Sequence, residues 1–314
     1  MNEASTTWWA IPLLFALTGL LAIYAATLNR LFEDLFAGRR LRPRRLLSPF
    51  RDALRLLFKE RTTTLMPDAP QWRLGPMLIF TLPFLAAVVI PVAPGAAVAD
   101  LNTGIVWWTA LMALLWVAVF LTGWSANSSF PLVAGYRYIA QALAYEMPLA
   151  IVVITVGLLA ESLQLSQIVA AQAEGLWFVV WAPLAFIVYL LAALAQTFWG
   201  PFSTPVAGDL AGGVKAELSG VDRLLFMAGR YVALVVAAAF AVPLFLGGHH
   251  GPLFPGWFWI LIKTLLVLTL LVSTRWIWPR IRLDRFEEFA WIVLIPLTLA
   301  QLFLVGALLL WGPS

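Results

Sequence analysis

Residues 138–160 read YIAQALAYEMPLAIVVITVGLLA, 23 residues in which Glu146 is the single formal charge. A helix needs about 20 mainly apolar residues to cross the hydrocarbon core of a bilayer. Helices and closed barrels are the two structures that satisfy their own backbone there. Seven further apolar runs lie at about 8–28, 74–94, 105–124, 176–197, 224–247, 257–278 and 290–311. These runs are continuous, whereas a membrane barrel alternates apolar and polar residues over segments of about ten. The expected fold is therefore an all-α integral membrane protein, a bundle of about eight transmembrane helices. Composition agrees, with 62% apolar and 11% charged residues against roughly 45–50% and 25% in soluble domains. No internal repeat is evident, so residues 1–314 read as a single polytopic domain. The first run follows Glu3 rather than basic residues and is expected to stay as a helix, not to be removed as a signal peptide.

The ends of the runs carry membrane markers. Trp8, Trp9, Trp107, Trp108, Trp177, Trp257, Trp259, Trp276 and Trp278 sit where amphipathic rings settle at headgroup level. Between the first two runs lie Arg30, Arg39, Arg40, Arg42, Arg44, Arg45, Arg51, Arg55, Lys59, Arg61 and Arg73, and Arg137, Lys215, Arg223, Arg275, Arg280, Arg282 and Arg285 fall on the same face. The opposite loops, near 95–104, 161–175 and 248–256, have no Lys or Arg. Positive charge favours the cytoplasmic side, which makes the basic face cytoplasmic and both termini external. Within the first loop, Ser48 can cap a helix, Pro49 suits its first turn, and Phe50, Ala53, Leu54 and Leu57 share one face. An amphipathic surface helix is expected at about 48–60, its apolar side toward lipid, the bundle or a docking partner.

Chemistry-bearing residues are few. Cysteine is absent, which removes bound iron–sulfur clusters and zinc thiolates from this chain. His249 and His250 lie in a Gly-Pro turn with no nearby carboxylate and read as loop structure rather than as a metal site. No phosphate loop, hydrolase elbow or metalloprotease helix is present. Charged residues inside apolar spans are costly and mark interior or water-lined positions. Glu146 sits eight residues into its run, roughly 12 Å deep at about 1.5 Å per residue. Pro148, two residues on, leaves the Ala144 carbonyl without its helical donor. A carboxyl group beside a free carbonyl suits a proton path. Arg137, nine residues before Glu146, falls on the opposite side of a straight helix and is not expected to pair with it. Arg230 is shallow in its span and can snorkel to the basic face. Lys263 enters from the other face, where it can snorkel or join a relay.

The order of short motifs resembles one family. Asp52-Ala53-Leu54-Arg55-Leu56-Leu57-Phe58-Lys59-Glu60 comes first, then Gly123-Trp124-Ser125-Ala126-Asn127-Ser128, then Arg137, Ala140-Gln141 and Tyr145-Glu146. Pro201-Phe202, Glu217 with Ser219-Gly220, Lys263, Arg275, Pro279-Arg280, Arg282 and Asp284 follow. In these residues, over about 20–300, the chain resembles the family of the quinone-chamber membrane subunit, the H subunit, of NADH:quinone oxidoreductase (respiratory complex I), with its relatives that anchor membrane-bound hydrogenase and formate hydrogenlyase. The resemblance implies a membrane subunit without standalone catalysis. It would anchor a peripheral arm of iron–sulfur subunits, contribute to a quinone-binding chamber near spans 1, 5 and 6 and the first loop, and link that chamber to antiporter-like ion-pumping subunits. Quinone would be a substrate, with no covalently bound cofactor. Lipid and these subunits would be its partners in the cell's inner, plasma membrane, with no nucleic acid. Carried over, the proton path would include Glu146, Glu217, Asp209 and Lys263. The chamber or the docking face would include Arg30, Arg39, Arg42, Arg137, Gln196, Phe202, Arg230, Arg280 and Asp284.

The departures are specific. Where the family reads Glu-Thr-Asn-Arg-x-Pro-Phe-Asp-Leu-Pro-Glu-Ala-Glu after span 5, this chain has Gln196, Ser203, Val206 and Gly208 at the carboxylate positions, leaving Asp209 and Glu217 in the cytoplasmic loop at about 198–223. Arg230 stands where a Glu is common. Gln, Ser, Val and Gly do not titrate near neutral pH, so the loop lacks the family's chain of proton sites. Two other readings therefore stand beside the first: an anchor of a hydrogenase-type complex, and a structural anchor in a divergent assembly that no longer binds quinone.

Overall fold

The computed structural model describes residues 10–39, 45, 47–93, 97–173 and 175–311. Its helices are α1 (Ala10–Phe36), α2 (Ser48–Phe58), α3 (Ala69–Ala87), α4 (Gly104–Ala113), α5 (Leu115–Ser125), α6 (Ser129–Ala160), α7 (Leu165–Ala171), α8 (Phe178–Trp181) and α9 (Pro183–Gln196). Four 3-10 turns lie between Gly200 and Lys215, followed by α10 (Gly220–Phe245), α11 (Gly256–Ile277), α12 (Leu283–Phe289), a π turn (Ala290–Leu294) and α13 (Ile295–Trp311). Seven stretches are long and apolar enough to cross a bilayer. The expected second span is α3, which carries Gln71, Trp72 and Arg73 in its first turns and reaches only Ala87. With α3 the bundle has the expected eight helices and is all-α among the described residues.

Several ends differ from the sequence expectation for identifiable reasons. Helix α1 continues past residue 28 to Phe36, because Arg30 binds Glu33 and Asp52, and Asp34 binds Arg45, so the polar turns are satisfied outside the apolar layer. Helix α6 starts at Ser129, nine residues before the apolar run, which puts Glu146 near the middle of a 32-residue helix. The fifth span is interrupted at Ala182–Pro183, where proline cannot continue α8 and instead starts α9. Pro296 removes the donor for the Ile292 carbonyl, and the π turn just before it takes up the mismatch. In α2, Ser48 is the first helical residue and makes no capping bond; the flanking position is Leu47.

Helix α10 is the axis of the bundle. Apolar around nearly its whole circumference, it is buried from Val232 to Phe245 except at Ala239, as a fully surrounded helix must be. It packs on α3, α11, α1 and α9, while α6 bridges α5, α9 and α13. Between lipid-bathed helices, close approach of backbones replaces hydrophobic drive. At Gly229 a Cβ would lie 2.5 Å from the Ile79 carbonyl oxygen, and at Gly123 it would lie 2.5 Å from that of Pro131. The first loop is tied to the start of α10. Thr62 N donates to Ser219 Oγ (2.7 Å), Ser219 Oγ donates to the Thr62 carbonyl (3.0 Å), and Asp222 accepts from Arg61 (3.2 Å) and Trp72 Nε1 (3.1 Å).

The crossing at Gly229 makes a direct test. Gly229→Ala forces α3 and α10 apart and should cost about 1–3 kcal/mol, read as a lower melting temperature in detergent. Gly19→Ala, where a Cβ meets nothing within 4 Å, should be neutral or slightly stabilising. Equal melting of the two variants would mean that this crossing does not limit stability.

Candidate functional site

A cavity of about 550 Å³ lies between α1, α2, α3 and α10 at the basic end of the bundle. Its walls are mostly apolar, including Phe15, Ala22, Phe80, Phe84, Met227 and Val232. Phe84 stacks on Phe15 at 4.5 Å and meets Phe80 edge-on at 5.1 Å. The amphipathic helix roofs it with Pro49, Phe50, Ala53 and Leu56. The lining keeps Phe50 and Ala53 of the expected face and takes Pro49 and Leu56 in place of Leu54 and Leu57, which lie outside the lining; Phe50, Leu54, Leu57 and Phe58 are all exposed. Helix α2 therefore has two apolar edges, one closing the cavity and one facing outward. Ionisable residues enter only at Arg30, Asp52, Arg223 and Tyr231. A smaller apolar cavity of about 200 Å³ lies farther along α1, between α10 and α11.

Beside the cavity, α9 ends inside the protein. Helix ends leave their last carbonyls without backbone donors, and here side chains supply them. Gln141 Nε2 donates to the carbonyls of Ala195 (2.7 Å) and Phe202 (3.0 Å), and Tyr138 donates to that of Gln196. Arg230 donates to those of Thr197 (3.4 Å) and Phe198. Thr204 in turn donates to Gln141 Oε1 at 2.5 Å. The chain turns here with Phe198 and Gly200 in the left-handed region (φ 41° and 57°). A Cβ at Gly200 would sit 2.6 Å from Thr274 Oγ1, which accounts for glycine. Arg230 does not snorkel: it is 3% exposed and lies against the rings of Phe198 (5.0 Å) and Trp199 (4.7 Å), while Arg275 approaches Trp199 at 5.3 Å.

The opposite end of α10 is treated in the same way. Lys263 Nζ donates to the carbonyls of Leu246 (2.6 Å), Gly248 (3.0 Å) and His250 (2.7 Å), and sits 4.1 Å from the Trp177 ring. Gln172 donates to the Pro243 carbonyl at 2.8 Å and accepts from Gly247 N at 3.0 Å. Lys263 thus neither snorkels nor meets a carboxylate; its three donors are spent on backbone.

The sequence-derived residues fall into separate groups. Arg137, Asp209, Arg280 and Asp284 line one open groove of about 650 Å³ at the basic face, with Arg282 and Glu287. There Arg137 pairs with Asp209 at 2.6 Å, and that hydrogen bond holds the Asp209 carboxyl below its ordinary range. Asp284 pairs with Arg282 at 2.8 Å. Gln196, Phe202 and Arg230 meet at the end of α9, and both side-chain amide atoms of the buried Gln196 lack a protein partner. Arg30 lines the cavity, Arg39 lies in a polar groove with Asp34 and Arg45, and Arg42 lies outside the described residues. Glu217 accepts from Ser128 at 3.3 Å. Glu146 is half-buried in mid-span, its Oε1 without a protein partner. The four candidates for a proton path are therefore spread from the basic face, at Asp209 and Glu217, through Glu146 to Lys263 on the far side.

Lys215 lies among cations. Burial first, then Arg230, Arg223, Arg275 and Arg280, push its ammonium down to about 8.

A family model described as NADH dehydrogenase matches residues 10–306. The chain belongs to this family. A relative from Geobacillus thermodenitrificans is 34% identical over 98% of this chain and 97% of its own length. One from Geobacillus kaustophilus is 38% identical over 85% and 81%, and one from Carboxydothermus hydrogenoformans is 35% identical over 85% and 77%. Each is named as the H subunit of NADH-quinone oxidoreductase. With its apolar helices, this makes the chain a multi-pass membrane subunit of the complex I type.

Sequence reading missed the capping roles of Tyr138 and Gln141 and the donor from Thr204. The signal was available: Tyr and Gln at i, i+3 inside an apolar run need partners. It also missed Tyr231, Asn29 and Asp222, which pair across elements far apart in sequence.

Arg230→Met would strip donors from two buried carbonyls, and should cost about 2–4 kcal/mol. The readout is a lower melting temperature of the detergent-solubilised protein. Arg282→Met, at an exposed pair, should change stability by no more than about 0.5 kcal/mol. Indistinguishable melting would remove the capping role from Arg230.

Proposed function

We propose that this chain forms the membrane-side entry of a quinone chamber in a complex I-like oxidoreductase, anchoring the peripheral iron–sulfur arm on its basic face. The observation that carries this is the apolar cavity between α1, α2, α3 and α10. Its volume of about 550 Å³ is within the roughly 300–1,000 Å³ of small-molecule sites. A head-and-tail molecule dissolved in the bilayer needs an apolar passage with a polar end, and here the polar end lies beside Arg30 and Arg223. The basic groove with Arg137, Arg280 and Arg282, and the first loop with Arg39 and Arg42, suit an acidic face of a docking subunit. On this reading the basic face is cytoplasmic, the termini are external and the membrane is the plasma membrane. A reporter fused after Arg61 should then be cytoplasmic and one fused at Ser314 external; both on one side would overturn the orientation.

A second reading has its own support. Arg230, where the family commonly has Glu, is committed to the carbonyls at the end of α9, and the loop carboxylates are replaced at Gln196, Ser203, Val206 and Gly208. Redox anchoring with altered ion coupling accommodates both. Glu146 is the remaining mid-span acid, and we assign it the titrating position of any path toward antiporter-like subunits.

The test uses the intact assembly purified in mild detergent, with its co-purifying chains identified. Gly19→Trp should fill the cavity without unfolding the bundle, because α1 has open space there. Quinone reduction should fall at least about tenfold, which corresponds to about 1.4 kcal/mol, with subunit composition unchanged. In the same preparations Glu146→Gln should retain quinone reduction and lower ion movement per electron. Full quinone reduction by an assembled Gly19→Trp complex would dismiss the cavity as the passage.

A further inference from the structure

Many cations of the basic face have internal partners. Arg30 bonds Glu33 and Asp52, Arg45 bonds Asp34, Arg61 bonds Asp222, Arg137 bonds Asp209, Arg282 bonds Asp284 and Arg285 bonds Glu288. Four others gather in one place without one. Lys215, Arg223, Arg275 and Arg280 make no ion pair and no side-chain hydrogen bond among the described residues, yet the three arginines, with Arg230, lie close enough to Lys215 to repel it. The fold holds them there. Lys215 ends the last tight turn before α10, Arg223 lies in the first turn of α10, and Arg275, in the last turn of α11, sits 5.3 Å from the Trp199 ring. Arg280 is anchored through the next residue, since Ile281 N donates to the Pro201 carbonyl at 3.0 Å. The carboxylates around the four are turned elsewhere. Glu33 attracts Arg275 but bonds Arg30 at 2.9 Å, Asp52 shares a lining with Arg223 but bonds Arg30 at 3.0 Å, and Asp222 is turned to Arg61 and Trp72. Glu217 accepts from Ser128, while Asp284, bonded to Arg282, and Glu287 share a groove with Arg280 without pairing with it.

We propose that Lys215, Arg223, Arg275 and Arg280 form a socket for an acidic segment of a docking peripheral subunit, with one carboxylate of that segment against Lys215. The proposal rests on the reading that the basic face carries a peripheral arm, and it adds where the arm's acidic contact sits and which residues take it. Like charges held close together repel, and the repulsion grows as water is excluded. Lys215 is half-buried, and its ammonium falls to about 8 through that burial and its cationic neighbours. An opposite charge in contact reverses this effect. A carboxylate seated among the four would also accept several charge-assisted hydrogen bonds at once. The position of the cluster favours a protein over a lipid as its source. The turn of Lys215 packs on α5 and α6, and Arg223 opens α10, the axis of the bundle. The socket therefore spans the middle of the basic face, where an occupant arrives from the water side, whereas lipid phosphates line the perimeter. Docking would desolvate these pairs, the condition under which charge pairs hold an interface.

The experiment is zero-length coupling in the intact assembly, purified in mild detergent and treated with a water-soluble carbodiimide. The reagent joins an amine to a carboxylate in contact with it as an amide, and leaves as its urea with one carboxyl oxygen. Peptide mapping should find Lys215 joined to an Asp or Glu of a co-purifying peripheral chain. In Lys215→Arg, which keeps the charge but offers no amine, that link should vanish with the arm still bound. Lys215→Glu should weaken retention of the arm at least about tenfold, with this chain still in the membrane, because the substitution relieves repulsion within it. Arg280→Gln should lower the salt concentration at which the arm dissociates. Three results overturn the socket and leave the docking reading standing: an unreacted Lys215 in an assembly that holds its arm, including one whose cluster holds a lipid phosphate; a link only to this chain's own Asp209 or Glu217; or an arm held by Lys215→Glu at wild-type strength. Absence of any peripheral chain from the purified assembly overturns both.

Discussion

Two helices of this bundle end within it, and the carbonyls they leave behind have no water to turn to. In an apolar surround each unpaired carbonyl costs several kcal/mol. The fold answers with long side chains from neighbouring helices: Tyr138, Gln141 and Arg230 at the end of α9, Gln172 and Lys263 at the end of α10. These bonds fix α6 and α10 to the end of α9 at one face, and α11 and the turn after α7 to the end of α10 at the other. The negative end of each helix dipole also receives a cation, Arg230 or Lys263. The mid-bundle cations are thus explained by backbone, without any partner carboxylate.

That constraint shapes the candidate site. With α9 ending early and its exit turned by Phe198 and Gly200, the chain from Gly200 to Lys215 lies as tight turns under the basic face and leaves the space between α1 and α10 open. Helix α2 then closes the space from above, while the bonds of Thr62 and Asp222 hold the first loop against α10. A cavity bounded on two sides by small or flexible residues, Gly19, Ala22 and Ala26 of α1 and Met227 and Ala228 of α10, results. Its polar end holds Arg30, Arg223 and Tyr231, with Asp52 as the carboxylate of the lining.

Most of the fold was legible because lipid is an uncompromising solvent. Runs of about 20 apolar residues have one stable form there, and the one-sided Arg-rich first loop suggested which ends belong together. What could not be read were the ends themselves. Helix α1 runs on to Phe36 because of ion pairs to residues in and before α2, and the extension of α6 back to Ser129 carries Tyr136, Arg137 and Phe130 outside any strictly apolar window. Arg230 was misplaced for a related reason: its depth suggested snorkelling, whereas its partners are carbonyls on another helix. Long-range acceptors of that sort leave no local trace in sequence. The cavity is likewise a property of four elements separated by up to about 200 positions; the family resemblance pointed to spans 1 and 6 and the first loop, whereas the remaining wall comes from α3 of the second span and not from the fifth.

The central claim is that the space between α1, α2, α3 and α10 receives the quinone head and tail. Photoaffinity labelling of the intact assembly with an azido-quinone, followed by peptide mapping with and without excess unlabelled quinone, addresses it most directly. The account predicts displaceable label on the segments around Ala22–Ala26 of α1 and Leu224–Ala228 of α10. Label confined to outward, lipid-facing segments such as α13, or label that excess quinone fails to displace, would contradict it.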